Sequence, residues 1–374
     1  MKRLLCVFLS CVMLLCACTQ VGEQSSTDEM SEASSNEDAP FNESAPEDIS
    51  NETSQESEEN TVKDYPTVTG TFVQLWAFSS YTVQQWETHF NHLKDVGIDT
   101  VIVQWTATTP YGQFKDCYYG TDLAAGNSTS DYVCYSSCIY RMFEAAKYTG
   151  TKIFLGLNIS DEWWNYSALD TSWGVTQATL GVNMARELYD KYYSEYSESF
   201  AGWYWSWELY NQMGGDLAVT AAQFINLYME GLTAIDPSLP LMLSPFITNQ
   251  VSAGITEATW KKFFENASFR EGDIFCCQDS VGAGHILLEQ TDEYFAAMAK
   301  AVATEKGLVF WANNESFNSD YTPADLSRFI SQMEITDKYV SGHVTFAYSH
   351  YYHPDKYPSY HQQYKDYYED GKLG

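Results

Sequence analysis

The sequence predicts an α/β chain folded as a (β/α)8 barrel, preceded by an export signal and an acidic, unstructured linker. Three observations predict the barrel. Between residues 65 and 374, short apolar runs alternate with helix-length amphipathic stretches eight times, the sequence form of a parallel α/β fold. No Gly-x-Gly-x-x-Gly loop follows any of the runs, which disfavours an open nucleotide-binding sheet. The roughly 310 residues concerned are many for one core, but within the usual size of such barrels.

The elements are expected in this order. Strand one is Thr71 to Trp76, followed by a helix from Val83 to Val96 that Gly97 ends. Strand two is Thr100 to Trp105; a Tyr-rich loop with Pro110 and Gly112 leads to a helix from Ser136 to Tyr148, closed by Gly150. Strand three, Lys152 to Asn158, precedes a helix from Gly181 to Tyr196. Strand four is Phe200 to Trp207, with a helix from Ala221 to Ile235 that Asp236-Pro237 breaks. Strand five is Pro240 to Ser244, followed by a helix over Glu257 to Asn266. Strand six is Asp273 to Cys277, followed by a helix over Leu287 to Thr304. Strand seven is Leu308 to Ala312, followed by a helix over Pro323 to Ile335. Strand eight is Gly342 to Tyr348. The repeats share form and not sequence, so no solenoid is implied.

The N-terminal residues are of another kind. Lys2 and Arg3 precede the apolar run Leu4 to Leu15, the layout of a secretory signal rather than a membrane span. The run closes on Leu15-Cys-Ala-Cys18, which resembles the lipobox of bacterial lipoproteins. That resemblance implies cleavage before Cys18, lipidation of its thiol and an extracytoplasmic, membrane-anchored protein. Residues 19–64 are rich in Ser, Glu, Asp and Asn and nearly devoid of large apolar side chains. Such a stretch buries too little apolar surface to offset its ordering entropy. The expected division is therefore a signal peptide over 1–18, a linker over 19–64 and a barrel domain over 65–374.

Charge narrows the partners. The chain carries 50 acidic and 20 basic residues, a net charge of −30. Residues 1–64 hold 14 of the acids and 3 of the bases, so the barrel domain is also strongly acidic. A nucleic-acid partner is excluded on that balance, a neutral substrate suits it, and a monomer is expected. The chain has 28 Tyr, 20 Phe and 11 Trp, more than a core of this size needs. Flat indole and phenol rings suit a cleft that packs against the C–H faces of sugars.

A barrel of this kind holds its site at the C-terminal ends of the strands. The side chains expected there are Gln74, Trp76, Gln104, Trp105, Asn158, Trp205, Glu208, Ser244, Gln278, Asp279, Trp311, Asn313, Glu315, Tyr348 and His350. Amides fix hydroxyls, indoles cover ring faces, and carboxyls do chemistry. Trp163 and Trp164 suit a binding loop, Asp161-Glu162 a helix start and Trp86 the core.

Glu208 closes Gly202-Trp-Tyr-Trp-Ser-Trp-Glu208 after strand four, and Glu315 closes a run after strand seven. This arrangement resembles the large retaining clan of (β/α)8 glycoside hydrolases. The resemblance implies Glu208 as general acid/base and Glu315 as nucleophile, with no cofactor. Glycoside cleavage needs one carboxyl that gives a proton to the leaving oxygen and another that attacks the anomeric carbon. The sequence departs from that clan in one place: Trp207 stands where the clan usually has an asparagine before the acid/base. Asp279 is a rival member of the pair, for an inverting mechanism with more widely spaced carboxyls.

A closer resemblance is to the bacterial family called domain of unknown function 4434, whose members look like glycosidase barrels. It rests on Gly70-Thr-Phe-Val-Gln-Leu-Trp76, Val96-Gly-Ile-Asp-Thr-Val-Ile-Val-Gln-Trp-Thr106, Gly202 to Glu208, Asp273-Ile-Phe-Cys-Cys-Gln-Asp-Ser-Val-Gly282 and Phe310-Trp-Ala-Asn-Asn-Glu-Ser-Phe317. The expectation is a lipid-anchored glycoside hydrolase acting on a glycan outside the cell. The alternative is a barrel that binds carbohydrate without cleaving it.

Other chemistries find little support. There is no Gly-x-Ser-x-Gly elbow, no His-Glu-x-x-His and no phosphate loop. His350-x-x-His353 places two imidazoles on one face of a helix, but no carboxylate cluster accompanies them at a known spacing, so no metal centre is expected. Cys117, Cys134, Cys138, Cys276 and Cys277 lie beyond the leader. Their odd number leaves no complete disulfide framework, though a bridge from Cys117 to Cys134 or Cys138 is open.

Overall fold

The computed structural model describes residues 63–166 and 170–372. The expected signal peptide, Cys18 and the linker up to residue 62 lie outside the described residues. A compact unit runs from Asp64 to Gly374. No helix among the described residues is long and apolar enough to cross a membrane.

Eight parallel strands close into a barrel: β1 (Gly70–Val73), β2 (Thr100–Val103), β3 (Lys152–Gly156), β4 (Phe200–Trp205), β5 (Leu241–Leu243), β6 (Ile274–Gln278), β7 (Val309–Glu315) and β8 (His343–Phe346). Each pairs with its sequence neighbours, and β1 closes the ring against β8 through Gly70↔Val344 and Thr71↔Thr345. The helices between them are α1 (Val83–Lys94), α2 (Cys138–Thr149), α3 (Thr171–Tyr196), α4 (Asp216–Ile235), α5 (Ala253–Phe264), α6 (Thr291–Val302) and α7 (Leu326–Thr336).

Local chemistry sets the helix ends. Thr82 and Gln85 form a reciprocal capping box at the start of α1. Asp170 caps α3 through the Trp173 N–H, and Ser252 caps α5 through that of Ile255. Gly150 ends α2 in the left-handed conformation, with φ 73°.

Strand pleating splits the core in two. One face of the strands points into the barrel and builds an inner cluster of Phe72, Ile102, Phe154, Tyr204, Met242, Ile274, Cys276 and Val344. The other face packs on the helices, with Trp203, Trp205, Phe224, Tyr228, Trp260 and Phe275 among its members. The inner cluster plugs the barrel, so the polar side chains above it form a floor at the C-terminal end.

Helix α3 begins ten residues before the expected Gly181, at Thr171, and three further elements differ from expectation. The Tyr-rich loop after β2 supplies three strands of a small four-stranded sheet, ordered Ser128–Cys134, Phe114–Cys117, Ala107–Thr108 and Asn158–Ile159, the last coming from the chain after β3. An additional helix, α8 (Pro358–Asp370), follows β8. It carries Pro358 in its first turn and ends on left-handed Gly371, and Tyr364 and Tyr367 are its buried anchors. Strand β7 runs three residues beyond the expected Ala312, to Glu315. That extension makes Glu315 part of the rigid sheet rather than of a loop.

Candidate active site

The inward-facing column of β4 brings Tyr204 to the barrel centre, and the chain beyond the strand brings Glu208 above it. In β7 the same alternation places Asn313 and Glu315 inward, level with Gln278 of β6 through the pairing Gln278↔Asn313. The floor is hydrogen-bonded. Gln278 Nε2 donates to the Ser244 carbonyl at 2.8 Å and reaches Glu208 Oε1 at 3.4 Å. Asn313 Nδ2 donates to Ser244 Oγ at 3.2 Å, and Gln74 Nε2 to Gln104 Oε1 at 2.6 Å. Two hydrogen-bonded groups are thus in place at this end of the barrel, Gln74 with Gln104 and Glu208 with Gln278, Ser244 and Asn313, and Glu315 lies near enough to Glu208 to feel its charge.

The two carboxyls are held differently. Glu208 is partly open to solvent. Its segment is anchored from behind, where Trp163 Nε1 donates to the Glu208 carbonyl at 2.9 Å and Trp207 Nε1 to the Tyr228 hydroxyl at 2.9 Å. Burial raises the proton affinity of its carboxyl, and the Gln278 amide opposes that rise. Glu315 is only 2% exposed. Its Oε2 accepts the Ala283 N–H at 2.7 Å. Burial first, then the charge of Asp279 behind it, push its pKa up to about 8, and the Glu208 charge contributes in the same direction.

Gly282 permits this packing. A Cβ there would lie 2.4 Å from the Phe317 carbonyl oxygen and 2.8 Å from Glu315 Cβ. The loop after β6 therefore closes on Glu315 at a distance only glycine allows.

Several expected site residues are placed elsewhere. Asp279, the residue after β6, is fully buried. Its Oδ1 accepts the Val281 N–H, and its Oδ2 accepts Asn314 Nδ2, the Glu315 N–H and Gln332 Nε2. With both oxygens engaged and no exposure, it positions Glu315 and does not meet a substrate, so the rival pairing with Asp279 is set aside. Asn158 is also fully buried: its amide bonds Thr109, Gln177 and Tyr228 beneath α3 and α4. Trp205 faces outward into Trp163, Phe224 and Tyr228. Tyr348 is enclosed, its hydroxyl on His361 Nδ1. Trp311 faces inward but sits low, beside Gly342 at the N-terminal end of β8. Strand parity moves Asp279 and Trp205 off the site, whereas Trp311 has the inward parity and the wrong depth. Asn158 lies past the end of β3, and Tyr348 in the short helix Tyr348–Tyr351.

The remainder stay near the mouth. Trp76 is 42% exposed and stacks on His350, with ring centroids 6.1 Å apart. Trp105 is half-buried at the end of β2. Sequence reading missed Tyr204, which T-stacks on Phe72 at 5.1 Å and whose hydroxyl is kept protonated by burial first and then by the Glu208 charge. Tyr204 shares the even parity of Glu208 on one strand, a signal that period-two counting carries. Gln332 of α7, the support of Asp279, has no such signal.

The same barrel occurs in solved structures. A candidate alpha-L-fucosidase from Bacteroides thetaiotaomicron superposes with a TM-score of 0.67 at 22% identity, over 82% of this chain and 96% of that one. A beta-galactosidase from the psychrophilic Marinomonas ef1 matches with a TM-score of 0.50 at 10% identity, over 80% of this chain and 58% of that one. At such identities the likeness is one of fold. No curated protein matches the chain. The model of the family described as domain of unknown function DUF4434 matches residues 68–359, nearly the whole barrel, and the chain belongs to that family.

Proposed function

We propose that the protein is a retaining glycoside hydrolase that uses Glu208 and Glu315 on a glycan outside the cell. One observation carries the reading: carboxyls from the ends of β4 and β7 lie at the same end of the barrel, Glu208 on the Gln278 amide and Glu315 near enough for the Glu208 charge to raise its proton affinity. In this reading Glu208, the more open group, protonates the leaving oxygen and later activates water. Glu315, held by the Ala283 N–H, attacks the anomeric carbon. Gln278, Gln74, Gln104 and Asn313 supply hydroxyl partners, and Trp76 and Trp105 supply faces for sugar rings. The likeness of the barrel to the candidate alpha-L-fucosidase and the beta-galactosidase supports this class of substrate.

Burial and the Asp279 charge raise the Glu315 pKa to about 8. The active state holds one proton between the two glutamates, so kcat/KM is expected to be bell-shaped with its alkaline limb near pH 8, because that ratio reports the free enzyme. A profile without a limb near pH 8 would contradict that pKa. The location also belongs to the proposal: acylated Cys18 holds the chain on the membrane, and Cys18→Ala releases it.

The test is hydrolysis of an aryl-glycoside panel that includes alpha-L-fucosides and beta-galactosides, with Glu208→Gln and Glu315→Gln alongside. Loss of at least about a hundredfold in both variants is expected. Sugar binding without turnover, equal in wild type and variants, would replace the enzyme with a binding protein.

A further inference from the structure

A second group of titratable side chains lies outside the carboxylate floor. Helix α1 presents His89 and His92, and the connection after β8 presents His350, His353 and Asp355. All of them except His92 border a pocket of about 310 Å³ with Phe78 and Tyr81. His89 and His353 stack at 4.2 Å, and His92 meets His353 edge-on at 5.2 Å. The ring nitrogens are unusual. Nδ1 of His89, Nδ1 of His92 and Nε2 of His350 are buried with no hydrogen-bond partner. Phenylalanine would fill such positions without that cost, since buried polar atoms are normally paired.

We propose that His92, His353 and Asp355 bind one divalent transition-metal ion of the zinc class, which clasps the connection after β8 to helix α1. Each of the three offers a ligand atom within 4.8 Å of the other two. His353 Nδ1 already lies 3.6 Å from Asp355 Oδ2. Ligands on a tetrahedral zinc ion with bonds of about 2.0–2.2 Å stand about 3.3–3.6 Å apart, so a small closing movement completes the site. Two imidazoles and one carboxylate suit zinc and its neighbours and do not suit calcium or magnesium, which prefer oxygen. Asp355 is exposed and His92 half-buried, which gives an ion its way in.

The surroundings favour neutral imidazole, the form that ligates. Burial holds His353 and His350 down to about 4 and His89 well below its ordinary value. His89 also donates to or accepts from Ser349 through Nε2 at 2.9 Å, which fixes the ring that stacks on His353. The Asp355 N–H makes a long 3.4 Å contact to His353 Nδ1, and Lys356 lines the same pocket. Lys356 is exposed and free to turn outward. Three protein ligands leave a fourth position for water.

Calorimetric titration of the full chain with ZnCl2 tests the site, with Asp355→Asn and the double variant His92→Gln/His353→Gln alongside. One ion is expected at the site. Asp355→Asn should weaken it at least tenfold, and the double variant should abolish it. Co2+ should bind the same site without thiolate charge-transfer absorption, which separates it from the cysteines. Because Asp355 is exposed, its variant keeps the fold, and thermal unfolding checks that for both variants. Failure of the wild type to take an ion overturns the proposal. Binding unchanged in Asp355→Asn or in the folded double variant overturns it too, as does cobalt bound only through thiolate.

Discussion

Glu315→Gln should stabilise the fold, and the gain should grow with pH. A carboxyl whose folded-state pKa is raised contributes stability that is complete below the unfolded value and lost as pH rises through the folded value. For Glu315 that window runs from its ordinary 4.5 to about 8. Within it the native state holds a proton that the unfolded state has released, so stability falls with pH. The full rise corresponds to about 5 kcal/mol between the two protonation states. Relaxation around the buried charge reduces this, and a gain of about 2–3 kcal/mol at pH 9 is expected. The amide keeps the bond to the Ala283 N–H, because its oxygen still accepts. Urea denaturation of both proteins at pH 5 and pH 9 reads the effect, and little difference is expected at pH 5. A variant equally stable or less stable than the wild type at pH 9 would refute the reasoning. So would a gain of the same size at both pH values.

Other perturbations follow from the same packing. Gly282→Ala should cost about 1–3 kcal/mol in stability, since the new Cβ meets backbone. It should lower any glycosidase rate in step with Glu315→Gln, as kinetics on a cleaved glycoside will read. Asn158→Ala strips the amide that joins Thr109, Gln177 and Tyr228 and should lower unfolding free energy by about 2–3 kcal/mol without changing sugar affinity. Alkylation of the native protein followed by peptide mapping should label Cys134 first. Cys117, Cys138, Cys276 and Cys277 are buried, and burial holds the thiols of Cys117 and Cys138 up at about 12.

The barrel was legible because each strand is a short apolar run set off by helix signals. The small sheet was not. Ser128–Cys134 is largely exposed, with polar residues on both faces, and so lacks the alternation that marks a half-buried strand. Helix α8 was hidden by its polar, Tyr-rich composition, since its stability comes from a few buried rings rather than an apolar stripe. Within the site, Glu208, Gln278 and Glu315 were readable as polar residues ending apolar strands. Asp279, Asn158, Trp205 and Tyr348 satisfied that same test and point elsewhere. A polar residue at a strand end is one residue away from facing the opposite side, and only a fixed register decides between them. The His92–His353–Asp355 group lay beyond reach for a different reason. Its members come from opposite ends of the chain, and only the closure of β1 on β8 brings them together.

Covalent trapping tests the central claim, that Glu208 and Glu315 divide the chemistry of a retaining glycosidase. The protein is incubated with an activated fluorosugar of whichever class it cleaves, and its intact mass and peptides are measured. A gain of one glycosyl residue, carried on the peptide that contains Glu315 and absent in Glu315→Gln, is the predicted result. Turnover with no adduct, or an adduct on another residue, would contradict it.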